Sequence, residues 1–165
     1  MTNNTHMMAS FALLALLVGC AKAPETTANS STVPSSGRVV VPGSEEDLVA
    51  NVGDRVFFDF DRSEIAGHGS LTLNNATTMD RQAAWLAKYG QVNVQIAGNC
   101  DERGTEEYNL ALGHRRANVA RNTLVAKGVM PARISTISYG KDRPTALGST
   151  EEVWAQNRNA ITSVK

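Results

Sequence analysis

One junction constrains the fold more than any other part of the chain. Val92-Asn-Val-Gln-Ile-Ala97 alternates apolar and polar residues, Gly98 breaks the alternation, and a helix-length pattern runs from Thr105 to Gly128. Period-two alternation is the mark of a half-buried strand. Thr105 can cap the helix, Glu106 and Glu107 complement the dipole of its first turn, and Gly128 ends it after Lys127. Its apolar residues include Leu112, Val119, Ala120 and Leu124. Segments on both sides repeat the theme. Arg55-Val-Phe-Phe-Asp-Phe60 reads as a first strand closing at Asp61-Arg62-Ser63. A helix follows between Gly69 and Tyr89, with Leu73, Ala76, Met79, Ala83, Leu86 and Ala87 at spacings of three and four and Gly90 closing the pattern. Ile134–Tyr139 is a third strand after Pro131, Glu151–Arg158 a short helix, and Ala160–Val164 a last strand. The order βαβαβαβ, with helices as crossovers, predicts an α/β (α+β) sandwich of two layers.

That architecture leaves the N-terminal part unassigned. Met7 to Gly19 is mostly apolar but too short for a membrane-spanning helix, which needs roughly 20 residues. It has the character of a signal-peptide core, although only His6, and no Lys or Arg, precedes it. Leu17-Val18-Gly19-Cys20 resembles the lipobox of bacterial lipoproteins, which implies cleavage before Cys20 and lipidation of its sulfur. Ala21 stands where an Asp would retain such a protein at the inner membrane, so the resemblance implies the outer membrane. The expectation is a signal peptide over 1–19, a lipidated N-terminus and flexible linker over 20–46, and a domain over 47–165. The linker is rich in Ser, Thr, Pro and Ala, and cannot bury much surface. Val39-Val40-Val41 is expected to add a β-like contact at the domain edge.

Charge and cysteine usage remove other classes. Lys plus Arg number 16 and Asp plus Glu number 16, a balance that argues against nucleic acid as a partner. Lipidation of Cys20 leaves Cys100 alone, so no disulfide is expected. His6, His68 and His114 are far apart and no CxxC is present, so neither a metal nor a cofactor is expected.

The chemistry concentrates in Gly98-Asn-Cys-Asp101-Glu-Arg-Gly104-Thr105 and the start of the helix after it. Asp101 sits just ahead of a helix N-terminus, where free backbone N–H groups gather. Asn109, Leu112 and Arg116 stand at i, i+3 and i+7 and share one helix face. An anion and a cation from different elements can then flank one pocket. Such a pair suits a zwitterionic amino-acid ligand, with the carboxylate accepting from its ammonium and the guanidinium gripping its carboxylate.

The segment Gly98 to Asn118 resembles the signature of OmpA-like peptidoglycan-binding domains, and is most similar to that of the peptidoglycan-associated lipoproteins of the Tol-Pal system. Further matches are Phe58-Asp-Phe60-Asp61, Ile137-Ser-Tyr139-Gly140-Lys141, Pro144 and Asn157-Arg158. The resemblance covers about residues 47 to 165 and implies helices packed on a mixed sheet. It implies that Asp101 and Arg116 hold the meso-diaminopimelate of the peptidoglycan stem peptide, that Phe60 and Asp61 line the same site, and that backbone groups around Gly104 and Thr105 complete it. It also implies TolB as a protein partner and a role in envelope integrity and cell division. Three positions depart from the family pattern: Asn99 stands where a His is frequent, Cys100 replaces a small residue, and Asn159 replaces the second Arg of an Asn-Arg-Arg run. Asn99 can still hydrogen-bond and is kept among the expected site residues.

Two other classes were weighed. Asp59, Asp61, Asp101 and Glu102 could serve as acid and base of a glycan hydrolase, but no nucleophile or metal motif accompanies them. A pure protein-docking module is the second. Glu102, Arg103, Glu106 and Glu107 read as solvated loop and helix-start charges, with Glu102 and Arg103 placed where they could instead brace the loop; Trp85 and Trp154 read as packing residues, and Cys100 as a small apolar filler. The reading that results is a non-enzymatic, lipid-anchored wall-binding protein.

Overall fold

The computed structural model describes residues 40–165. The expected leader, the lipidated Cys20 and the tether as far as Val39 lie outside the described residues. Within the described part the chain runs α1 (Glu45–Asp47), β1 (Arg55–Phe57), α2 (Asn75–Lys88), β2 (Val94–Asn99), α3 (Glu106–Ala126), β3 (Ile134–Gly140), α4 (Glu151–Asn157) and β4 (Asn159–Val164). The strands form one mixed sheet in the order β1-β4-β2-β3. β4 is antiparallel to both β1 and β2, whereas β2 and β3 are parallel and joined through α3. The parallel pair is what requires a crossover helix, and the long pattern after Gly98 supplies it.

Side chains from β2, α2 and α3 build the core. Val94, Ile96, Met79, Leu86, Ala117 and Leu124 are all buried. Polar groups tie the layers where apolar contact stops: Gln82 donates to the Gly53 carbonyl at 2.7 Å and accepts from the Thr162 hydroxyl at 3.0 Å. Each is a buried polar group with a partner, as burial demands.

Three expectations need correction. The α2 stripe is rotated from the one expected: Ala76 and Ala87 are exposed, and Leu73 lies ahead of the helix with most of its surface in solvent. Asn75, Thr78 and Gln82 take the buried places. Hydrogen bonds to neighbouring strands pull those polar residues inward, which apolar periodicity cannot register. β1 is shorter than Arg55–Phe60, and on its free edge Asn75 accepts from the Phe57 N–H at 3.0 Å and donates to its carbonyl at 2.7 Å. This side chain takes the place of a neighbouring strand, and the chain then turns through Asp61. Val40 and Val41 are exposed and outside any strand. What packs at this end begins at Gly43, whose N–H donates to Asp47 at 2.8 Å, and Glu45 accepts from the Val164 N–H at 2.5 Å.

Candidate functional site

At its C-terminal end β2 comes unusually close to α3. A Cβ on Gly98 would fall on the Gly113 carbonyl, and one on Gly113 would strike Ser138 and the Gly98 carbonyl. Two glycines therefore let α3 lie against β2 and β3 at backbone contact. Between Gly98 and Asn99 the pairing register with β3 shifts. Beyond it the Cys100 N–H donates to the Gly140 carbonyl at 2.7 Å. The shift re-aims the chain into the loop that carries Asp101. α3 then starts at Thr105, whose hydroxyl accepts from the Tyr108 N–H at 3.2 Å. Asn109 closes the loop by donating to the Arg103 and Thr105 carbonyls at 2.8 and 3.0 Å.

The loop, α3 and the turn after β1 enclose a cavity of about 170 Å³. Asp101, Arg103 and Gly104 come from the loop, Phe60 and Asp61 from the turn, and Asn109, Leu112 and Arg116 from α3. Asp61 has φ 54°, the only positive value outside glycine among the described residues. Asp tolerates that conformation better than most residues, and here it accompanies a hydrogen bond from the Tyr108 hydroxyl.

Arg116 is fully buried. Its guanidinium donates to three backbone carbonyls: Arg62 at 2.8 Å, Asn99 at 2.8 Å and Asp59 at 3.2 Å. These contacts clamp the β1 turn to the end of β2, and two of its five N–H groups remain beyond those three bonds. Burial pushes its pKa down, but a guanidinium starts so high that it stays cationic at neutral pH. Cys100, beside it, is buried and donates its thiol to the Asn109 carbonyl at 3.3 Å; burial raises the thiol pKa, so the sulfur is held as a thiol.

Asp101 is 4% exposed and every oxygen lone pair is engaged. Oδ1 accepts from the Arg103 N–H and Nε, each at 3.1 Å. Oδ2 accepts from Arg103 Nη2 at 2.8 Å and from Arg158 Nη1 at 3.3 Å. Burial opposes ionisation, yet Arg103 and Arg158 outweigh it and hold the carboxyl below its ordinary pKa. Arg158 is itself buried and fixed by the Phe58 carbonyl at 3.0 Å and Glu151 at 2.7 Å.

Of the two roles expected of Arg103, solvated charge or loop brace, the arrangement shows the brace. Its guanidinium is sandwiched 4.1 Å from the Phe60 ring centroid and 4.0 Å from that of Trp154. Trp154 is held in turn by donating to Glu102 at 3.0 Å. Sequence spacing gave no sign of this stack, since its members come from the β1 turn, the β2–α3 loop and α4.

Of the residues expected at the site, Asp101, Arg116, Phe60, Asp61, Gly104, Asn109 and Leu112 are brought together around the cavity. Asn99 and Thr105 are not part of its lining. Thr105 spends its side chain on the helix cap. Asn99 donates to Asn159 Oδ1 at 2.8 Å, because strand alternation that turns Ile96 to the core and Gly98 to α3 sends residue 99 the other way. Asn159 donates in turn to Thr145 at 2.9 Å and the Gln156 carbonyl at 2.7 Å. Two of the departures from the family pattern thus touch each other. Tyr108, Arg103 and Cys100 complete the lining and were missed as site residues; Arg158 and Trp154 hold it from behind. Asp59, one of the carboxylates weighed for hydrolysis, accepts from the His68 and Gly69 N–H groups at 3.0 and 3.1 Å and braces its own loop. Among the described residues no group of His, Cys, Asp and Glu is arranged to hold a metal ion. What the cavity offers chemically is a buried cation, a buried anion and an aromatic wall around a space of amino-acid size.

The OmpA family model matches residues 57–158. The peptidoglycan-associated lipoprotein of Mesorhizobium japonicum is 46% identical over 99% of this chain and 94% of that protein. The protein of the same name from Pseudomonas aeruginosa is 39% identical over 88% of each. Among solved structures, the peptidoglycan-associated lipoprotein from Burkholderia pseudomallei aligns with a TM-score of 0.61 at 39% identity, covering 68% of this chain and 90% of that one. The C-terminal domain of Helicobacter pylori MotB aligns with a TM-score of 0.57 over 68% of this chain and 84% of that one, at 21% identity, a likeness of fold alone.

Proposed function

The chain belongs to the OmpA family, among the peptidoglycan-associated lipoproteins, and on that premise we propose that it anchors the outer membrane to the cell wall by binding the meso-diaminopimelate of the peptidoglycan stem peptide. One observation carries the reading: Asp101 and Arg116, from a loop and from a helix, bound the same cavity of about 170 Å³. A diamino-dicarboxylic side chain ends in an ammonium and a carboxylate on one carbon. Such a terminus is complementary to a carboxylate and a guanidinium held on opposite sides of a small pocket. Arg116 has N–H groups left over after its carbonyl contacts, and Phe60 and Leu112 give the methylene stem an apolar surface. Binding is noncovalent and reversible, with no chemical step.

The rest follows from the resemblance. Residues 1–19 are removed as a signal peptide, Cys20 carries the lipid that holds the chain in the outer membrane, 20–46 are the tether, and the domain faces the periplasm. TolB of the Tol-Pal system is the protein partner, and the role lies in envelope integrity and cell division.

The test is co-sedimentation of the chain with sacculi that contain diaminopimelate and with sacculi that contain lysine at that position, with released muropeptides assayed in parallel. Selective retention on the diaminopimelate wall without release is the expected result. Release of fragments would replace the anchor by a hydrolase, and retention on neither wall would leave a protein-docking module.

A further inference from the structure

The carboxylate assigned to the ligand's ammonium already holds a cation of this chain. Asp101 accepts from Arg103 through both oxygens and from Arg158 through one, so no lone pair is left for an incoming group. The two arginines differ in how they are held. Arg158 is buried and also bound to the Phe58 carbonyl and Glu151, which makes it a fixed part of the wall. Arg103 keeps about 30% of its side chain exposed, has Glu151 at 3.6 Å, and lies between two aromatic faces against which another flat or aliphatic group could also pack.

Resting on the reading of this cavity as the diaminopimelate site, we propose that Arg103 is a specificity-determining residue that occupies the ammonium position on Asp101, and that ligand binds by exchange with it. The ligand's ammonium takes the place of the guanidinium on Asp101, and its methylene stem takes the slot between Phe60 and Trp154. Arg158 stays, so Asp101 is never a lone buried charge during the exchange. A ligand enters only when it carries both a cation and an aliphatic or flat stem long enough to fill what Arg103 vacates. A bare ammonium ion or a neutral side chain does not qualify. Arg103 is therefore a competitor built into the site, and the apparent affinity is the intrinsic affinity reduced by the small fraction of molecules in which Asp101 is free.

The test uses the full chain and, as probe, a soluble stem tripeptide ending in meso-diaminopimelate, with calorimetry for affinity. Arg103→Ala and Arg103→Gln remove the competitor, the second while keeping most of the stem. Both are expected to bind roughly tenfold tighter than the unaltered chain, the gain that follows if Asp101 is free about a tenth of the time. A purely structural role would weaken binding instead. The second readout is the nuclear magnetic resonance of the Arg103 side chain, which two flanking rings shift from its ordinary position. Saturating tripeptide is expected to return it. Weaker binding in both variants with recovery in Arg103→Lys would make Arg103 a direct ligand contact and overturn the proposal, as would Arg103 resonances that stay ring-shifted in the complex. Tripeptide binding to neither the unaltered chain nor the variants would sink the reading of the cavity, and the exchange with it.

Discussion

Two nearly buried carboxylates at opposite ends of β2 are held in different ways, and the difference separates support from recognition. Asp47, in α1 beside Val164, accepts only from neutral donors: the Gly43 N–H and the Trp85 indole on Oδ2 at 2.8 and 2.9 Å, and the Asn51 amide on Oδ1 at 2.8 Å. Asp101, beyond the other end, is held mainly by two guanidiniums. Neutral donors fixed by backbone and core leave Asp47 nothing to exchange, whereas Asp101 is balanced by cations, one of which, Arg103, is part exposed and is the one the proposed exchange would displace. A buried carboxylate is thus not a binding site by virtue of burial; the charge of its partners decides.

The contrast can be broken in order of effect. Arg116→Ala removes three carbonyl contacts from a fully buried position, and is expected to cost on the order of 3 kcal/mol or more in thermal or denaturant unfolding as well as abolishing wall retention. Asp101→Asn is expected to lower sacculus retention by roughly 100-fold, since a charged partner of the ligand is lost. Asp47→Asn should leave retention unchanged, and loss of retention in that variant would erase the distinction.

Acid separates the two further. The Gly43 N–H first, then Asn51 and Trp85, hold the Asp47 pKa down at about 2 from an ordinary 3.8. A depressed carboxyl contributes stability that is complete above its unfolded pKa and lost as pH falls through the folded one. The stability gap between the unaltered chain and Asp47→Asn is therefore expected to be constant above about pH 4 and to close towards about pH 2. Thermal unfolding followed across that window checks it. The smallest effect expected is at Glu102, which is exposed and bonded to Trp154 behind the site. Glu102→Ala is expected to change retention by less than about threefold, the scale of one exposed contact.

The parts of this molecule that sequence made legible are those governed by neighbours along the chain. The alternation of Val92–Ala97, the cap at Thr105 and the stop at Gly128 each act over a few residues; α3 forms where its signals stand, and β2 forms as Val94–Asn99, two residues further on, with Gly98 paired inside it. That Asp101 and Arg116 bound one cavity was legible through a motif whose spacing spans the same junction. What stayed hidden depends on residues brought from afar. Asn75 caps the free edge of β1 from 18 positions away. Arg103 was read first as solvated because its rings come from residues 60 and 154, and no local pattern couples those elements. Asn99 was grouped with Asp101 by adjacency, while the alternation of the strand and the register shift at its end carry the two side chains to different places.

The latch between Glu45 and Val164 has a mechanical meaning. α1 lies beside the Val164 end of β4, Val164 pairs with Val94 at the start of β2, and the cavity opens just beyond the far end of β2. A load entering through the residues ahead of Val40 and resisted at Asp101 therefore runs along the strands. Hydrogen bonds between strands pulled lengthwise bear force together, in shear, instead of parting one after another like a zipper. On the proposed function, the tether and the wall ligand would thus pull on the two ends of the same strands.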